Sequence, residues 1–128
     1  MTTSRPSRTS SEPSAQLPLT VPVFHILVSL ADRDLHGYAM IQDILQRTDG
    51  EVRLTASTLY TAIRRLLDAG MVDEVDDPRR GPGGDDERRR YYRMTSYGRE
   101  VAQLEAARLE RAAGMARAKR LLPKSRKA

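Results

Sequence analysis

Leu54-Thr55-Ala56-Ser57-Thr58-Leu59-Tyr60-Thr61-Ala62-Ile63-Arg64-Arg65-Leu66-Leu67-Asp68-Ala69-Gly70 is the stretch on which the fold turns. At about 100° per residue, Leu59, Ala62, Ile63, Leu66, Leu67 and Gly70 gather on one side of a helix. Ser57, Tyr60, Thr61 and Arg64 gather on the other, with Thr58 and Arg65 on the flank. Thr55 is a natural N-cap and Gly70 a natural stop. The outer face carries no acid before Asp68, and its first turn is rich in hydroxyls. The positive end of the helix dipole lies there as well, so this surface suits an anion.

Working outward, Asp49-Gly50 ends a preceding helix that runs from Gly37 to about Thr48. On it Tyr38, Ile41, Ile44 and Leu45 are expected to form a broad apolar arc, with Gln42, Asp43, Gln46 and Arg47 outside. Asp32 to Gly37 reads as the turn before it. Earlier still, Thr20 to about Ala31 is apolar on nearly every side, with Thr20 as cap and Pro22 in the first turn. Such a helix must be covered on most sides, which in so small a domain implicates a partner subunit.

On the other side, Met71 to Val75 and Arg89 to Met94 read as two strands. They are joined by a loop holding Pro78, Gly81, Pro82, Gly83 and Gly84. If Tyr92 and Met94 face the core, alternation turns Arg89, Tyr91 and Arg93 outward. Thr95 then caps a final helix running to about Leu122 before Pro123, roughly 40 Å at about 1.5 Å per residue. Its stripe of Tyr97, Val101, Leu104 and Met115 passes through Arg108 and Arg111, beside a second stripe of alanines and Leu109. The expected divisions are a disordered tail over 1–18, a globular unit over 19–94, the long helix over 95–122, and a basic tail over 123–128.

The 128 residues support one small core with extensions. With no cysteine, disulfides and thiolate metal sites are excluded and a reducing cytoplasm fits. The polar N-terminal stretch lacks the apolar region of a signal peptide, and no apolar run approaches the roughly 18 residues of a membrane span. The net charge of +5 is unevenly spread. Arg5 and Arg8 against Glu12 leave residues 1–18 at +1, and residues 99–128 carry +6. Residues 19–98, with eleven Arg against thirteen acids, carry −2. Attraction for an anion in the globular part therefore depends on local clusters: Arg53, Arg64 and Arg65, and the run Arg88-Arg89-Arg90.

The fold class expected is mainly α with a small β-hairpin: three helices, a hairpin, then a long helix. The second and third helices make a helix-turn-helix and the hairpin makes a wing. Four blocks appear in order: His36-Gly37-Tyr38; Thr58-Leu59-Tyr60; the exit Leu67-x-x-Gly70-Met71-Val72; and Arg89-Arg90-Tyr91-Tyr92-Arg93-Met94-Thr95-x-x-Gly98-Arg99. Over about Pro22 to Arg99 these blocks and their spacing resemble the PadR family of bacterial transcriptional regulators. The resemblance implies a winged-helix repressor that dimerises mainly through its C-terminal helix. It implies binding to a palindromic operator in double-stranded DNA and release by a small-molecule inducer. The chain departs from the family in two places. Ala56-Ser57 stands where a Pro-Gly pair often precedes the Thr-Leu-Tyr, and the last helix lacks the tryptophan that lines some members' drug pocket.

In this geometry the third helix is expected to enter the major groove and the wing to lie across the neighbouring backbone or minor groove. The candidate DNA contacts are Ser57, Thr58, Tyr60, Thr61 and Arg64 on the helix. Tyr38 and Arg53 flank it, and Arg79, Arg80 and Arg89 lie on the wing. Tyr38 is expected to bury its ring and leave its hydroxyl near a phosphate. Arg64 suits a bidentate guanine contact or a phosphate clamp. The candidate dimer contacts are Phe24, Leu27, Val101, Leu104, Leu109 and Met115. His36 reads as a cap or packing residue, and with His25 it makes no metal-ligand spacing. There is no Ser/His/Asp arrangement, glycine-rich phosphate loop or paired carboxylates, so neither an enzyme nor a cofactor is expected. The competing class is a winged helix used for protein contacts, docking through the long last helix.

Overall fold

A computed structural model describes residues 12–76 and 90–124. Its helices are α1 (Val21–Ser29), α2 (Gly37–Arg47), α3 (Ala56–Asp68) and α4 (Ser96–Ala118). Its strands are β1 (Leu35–His36), β2 (Val72–Val75) and β3 (Tyr91–Met94), in the order β1-β3-β2. Both pairings are antiparallel, with Val72 opposite Met94 and Leu35 opposite Tyr92. The winged helix-turn-helix is therefore present with a three-stranded sheet. Sequence reading left Leu35 and His36 in a turn, because a two-residue strand is too short to show alternation.

That extra strand also corrects the expected orientation of Tyr91. Both Tyr91 and Tyr92 are buried. β1 brings the His36 ring edge-on to the Tyr91 ring, with centroids 5.3 Å apart, and so covers the face that alternation assigned to solvent. Arg93, on that same face, is instead paired with Asp34 through two hydrogen bonds of 2.9 and 3.2 Å.

Local chemistry explains each helix start. Thr20, Thr55 and Thr95 accept from the backbone N–H three residues on, and His36 Nδ1 does the same for Ala39. The helices enclose one core whose fully buried members come from every layer: Ile26 and Leu27 of α1, Met40 and Ile44 of α2, Leu59 and Leu66 of α3, Val72 of β2 and Val101 of α4. A polar lock ties α1 to α2. Ser29 Oγ donates to Asp43 at 2.7 Å, and Arg47 donates to Asp43, to Ser29 Oγ and to the His25 carbonyl. Desolvation pushes the Asp43 carboxyl up. Hydrogen bonds from Arg47 and Ser29 more than offset this and hold it below its ordinary range.

Three expectations are corrected here. Residues 12–18, expected to be part of a disordered tail, form a 3₁₀ turn at Pro13–Gln16 that packs on α4. Gln16 donates to the Tyr97 hydroxyl at 3.0 Å, and the Leu19 N–H donates to Glu105. Leu27 and Val101, expected at a subunit interface, are wholly buried inside the single chain. Finally, α4 ends at Ala118 rather than near Leu122. Arg120 turns left-handed at φ +66°, and the Leu121 N–H closes back on the Ala116 carbonyl.

Glu105 is the buried residue that sequence reading passed over. It sits one turn beyond Val101, only 2% exposed, accepting from Leu19 and from Arg108 at 2.6 and 2.9 Å. The Arg108 hydrogen bonds hold its carboxyl below the usual range, against the upward push of burial. A carboxyl depressed in the folded state adds stability above its unfolded value of about 4.3 and loses it as pH falls through the folded value. Replacing Glu105 with Gln should therefore cost about 1–2 kcal/mol near neutrality. That gap from wild type should close as urea melts are taken from pH 7 towards pH 3. Gly98 presents a second test, since a Cβ there would run into the Met71 carbonyl, which is backbone and cannot swing aside. Gly98→Ala should cost roughly 2–3 kcal/mol, read as a lowered melting temperature.

Candidate nucleic-acid interface

α3 separates its faces as its periodicity requires. Leu59, Ala62, Ile63 and Leu66 are buried, whereas Ser57, Thr58, Tyr60, Thr61, Arg64 and Arg65 are exposed. The Thr55 hydroxyl accepts from the Thr58 N–H at 3.1 Å and donates to the Thr58 hydroxyl at 3.1 Å, so the first turn is rigid. Asp49 and Gly50 both take left-handed backbone, φ +56° and +82°, and this reversal carries Arg53 to the surface ahead of α3.

Tyr60 is half-exposed, and its phenol lies against Gly37 at the start of α2, where any Cβ would collide with it. The ring is thus held at the α2–α3 junction by the absence of a side chain. Tyr38 is 67% exposed, which corrects the expectation that its ring is core. The buried side of α2 is Gly37, Met40 and Ile44, and an arc drawn through Tyr38 and Ile41 leaves out Met40 and so is centred about one residue's rotation, roughly 80–100°, away.

The arginines of the sheet, α2 and the start of α4 differ from those of and before α3. Arg47, Arg90, Arg93, Arg99 and Arg108 are engaged with carboxylates or backbone carbonyls. Among the described residues, Arg53, Arg64 and Arg65 have no hydrogen-bond or ion-pair partner. Ser57, Thr61, Arg64 and Arg53 therefore present hydroxyls and unneutralised guanidinium groups to solvent, ending at exposed Asp68. The wing residues Arg79, Arg80 and Arg89 lie outside the described residues, as do Arg5, Arg8 and Arg88. Among the described residues no cluster of His, Asp or Glu could hold a metal ion, and no helix is long and apolar enough to cross a membrane.

Of the expected interface set, Leu104, Leu109 and Met115 are exposed, at 40%, 40% and 67%, and Phe24 is half-buried. From Leu109 onward no described residue of α4 is buried, so this half of the helix stands away from the subunit's own core.

Residues 26–104 match the model of the transcriptional regulator PadR-like family. An uncharacterised protein of Lysinibacillus sphaericus is 34% identical over 74 residues, which cover 58% of this chain and 64% of that one. A transcriptional regulator from Clostridium thermocellum superposes with a TM-score of 0.63 at 26% identity, over 73% of this chain and 84% of its own. A PadR family regulator from Clostridium difficile gives 0.64 at 20% identity, over 77% and 96%. Bacillus subtilis PadR, solved in complex with operator DNA, gives 0.57 at 20% identity, over 67% of this chain and 46% of that one. With the family model spanning more than half of its length, and the winged helix-turn-helix around it, this chain belongs to the PadR-like family of transcriptional regulators.

Proposed function

We propose that the chain is a cytoplasmic, sequence-specific DNA-binding repressor that acts as a homodimer on a palindromic operator and is released by a small-molecule inducer. The observation that carries the DNA reading is the outer face of α3, with its hydroxyls, its acid-free run up to Asp68, and guanidinium groups without partners among the described residues. A helix so built fits the major groove, where hydroxyls meet phosphates and Arg64 is placed to reach a base edge. The Bacillus subtilis relative of the same fold was solved in complex with operator DNA, which supports DNA as the partner.

The dimer reading rests on the second half of α4. Leu109, Met115 and Leu121 expose apolar surface on a helix end that the subunit does not cover. A second copy packed there would shield them and bring two α3 helices into two-fold relation, as a palindrome requires. Phe24 and Leu104 border the same region in this reading, whereas Leu27 and Val101 serve the core.

Two outcomes follow. Arg64→Ala should weaken operator binding by roughly 1–3 kcal/mol and relax the preference for operator over random duplex, measured by anisotropy titration. An equal loss on both duplexes makes Arg64 a phosphate contact. Ending the chain after Arg108 keeps Val101 and Glu105 in the core. It should leave a folded monomer by light scattering, and a dimer persisting at micromolar concentration rules out the α4 interface. If the full chain fails to bind its own upstream DNA even at low salt, a protein-docking role for α4 takes precedence.

A further inference from the structure

Beside the outer face of α3 lies a groove of about 280 Å³. One wall is the start of α1, with Thr20, Pro22 and Val23; the other is the flank of α3, with Thr58, Thr61 and Arg65. A smaller depression of about 150 Å³ continues on the far side of Arg65 towards Leu19. Thr20, Val23 and Arg65 line both, so Arg65 stands between two adjoining depressions that together form a channel along α3 and the chain leading into α1.

We propose that this channel seats the sugar–phosphate backbone of one DNA strand, with Arg65 as a phosphate contact and the start of α1 as the opposite wall. The inference rests on the reading of α3 as the helix that enters the major groove. Three observations carry it. No carboxylate lines the groove; its polar groups are hydroxyls and the one guanidinium, while Pro22, Val23 and Ala62 give an apolar floor suited to a deoxyribose. Arg65 is exposed and has no partner among the described residues, whereas the arginines on the sheet and on α2 are engaged.

The third observation is direction. Arg65 projects about 100° around the helix from Arg64. A helix with its side chains is about 10–12 Å across and fills a major groove about 12 Å wide, so a flank residue meets the groove wall rather than base edges. The wall is phosphate. The same logic brings Thr20, which no sequence pattern marked as a contact, to the edge of the DNA surface.

Backbone contacts are independent of sequence and salt-sensitive, so the test needs no operator. A labelled random duplex of about 30 base pairs is titrated with the full-length protein from about 25 to about 250 mM NaCl. Relative to wild type, Arg65→Gln should flatten the plot of log K against log salt by about 0.9 per bound subunit and reduce affinity about 3- to 10-fold at low salt. Arg65→Lys should restore the slope, and an unchanged melting temperature confirms folding of both variants. If Arg65→Gln keeps the wild-type slope and affinity, the channel is not a backbone seat, although α3 remains the DNA helix. If wild type binds no duplex at any salt, both readings fall together.

Discussion

The joint between the end of α3 and the start of α4 governs the rest of the structure. Gly70 takes φ +77°, which lets the Met71 N–H return to the Leu66 carbonyl and stops α3. Thr95 then bonds both residues of that exit: its hydroxyl donates to the Gly70 carbonyl at 2.7 Å and its N–H to the Met71 carbonyl at 3.0 Å. The same hydroxyl accepts from the Gly98 N–H, so one side chain caps α4 and fixes it to α3. Gly98 admits the closest approach, with the Met71 backbone lying where a Cβ would be. The orientation of α3 relative to α4 is thus set over a few residues with little freedom.

The same joint ties the placement of α3 directly to that of α4. A shift of α4 against its neighbour acts on Thr95 and Gly98 and hence on the exit of α3. Close packing makes such a contact rigid, so displacement of one helix is passed on rather than absorbed. The chain from Leu17 to Leu19 adds a second tie, since it packs against the core and its Leu19 N–H is held by Glu105 of α4. The α1–α2 unit is locked separately by Asp43, Arg47 and Ser29. The helix-turn-helix and α4 are therefore two braced parts joined at the α3–α4 joint and at the Leu17–Leu19 segment.

Much of this was legible in the residues. The four helix caps, the Gly70 stop, the buried face of α3 and its exposed polar face all follow from short-range rules of capping and period. The blocks from His36-Gly37-Tyr38 through Arg99 were sufficient to place the family. What escaped was non-local. Leu35 and His36 form a strand only because β3 offers an open edge. Tyr91 is buried only because that strand covers it. Residues 12–18 order only because α4 supplies Tyr97 and Glu105 as partners.

By itself the sequence determined which residues can be helix, where helices begin, and which face of α3 avoids acids, because each depends on neighbours within one turn. Tertiary structure decided which apolar residues serve the core and which it leaves uncovered. Leu27 and Val101 look like interface residues on a helical wheel, yet they are sealed inside the subunit, whereas Leu109 and Met115 lie beyond its reach. It also decided the state of the charges. Arg64, Arg65, Arg90 and Arg93 are alike in sequence, and only the placement of Glu74 and Asp34 neutralises two of them and leaves α3's pair without such partners among the described residues. The opening stretch thus carries its own helix, and the rest of the fold selects which of its arginines' neighbours are near enough to matter.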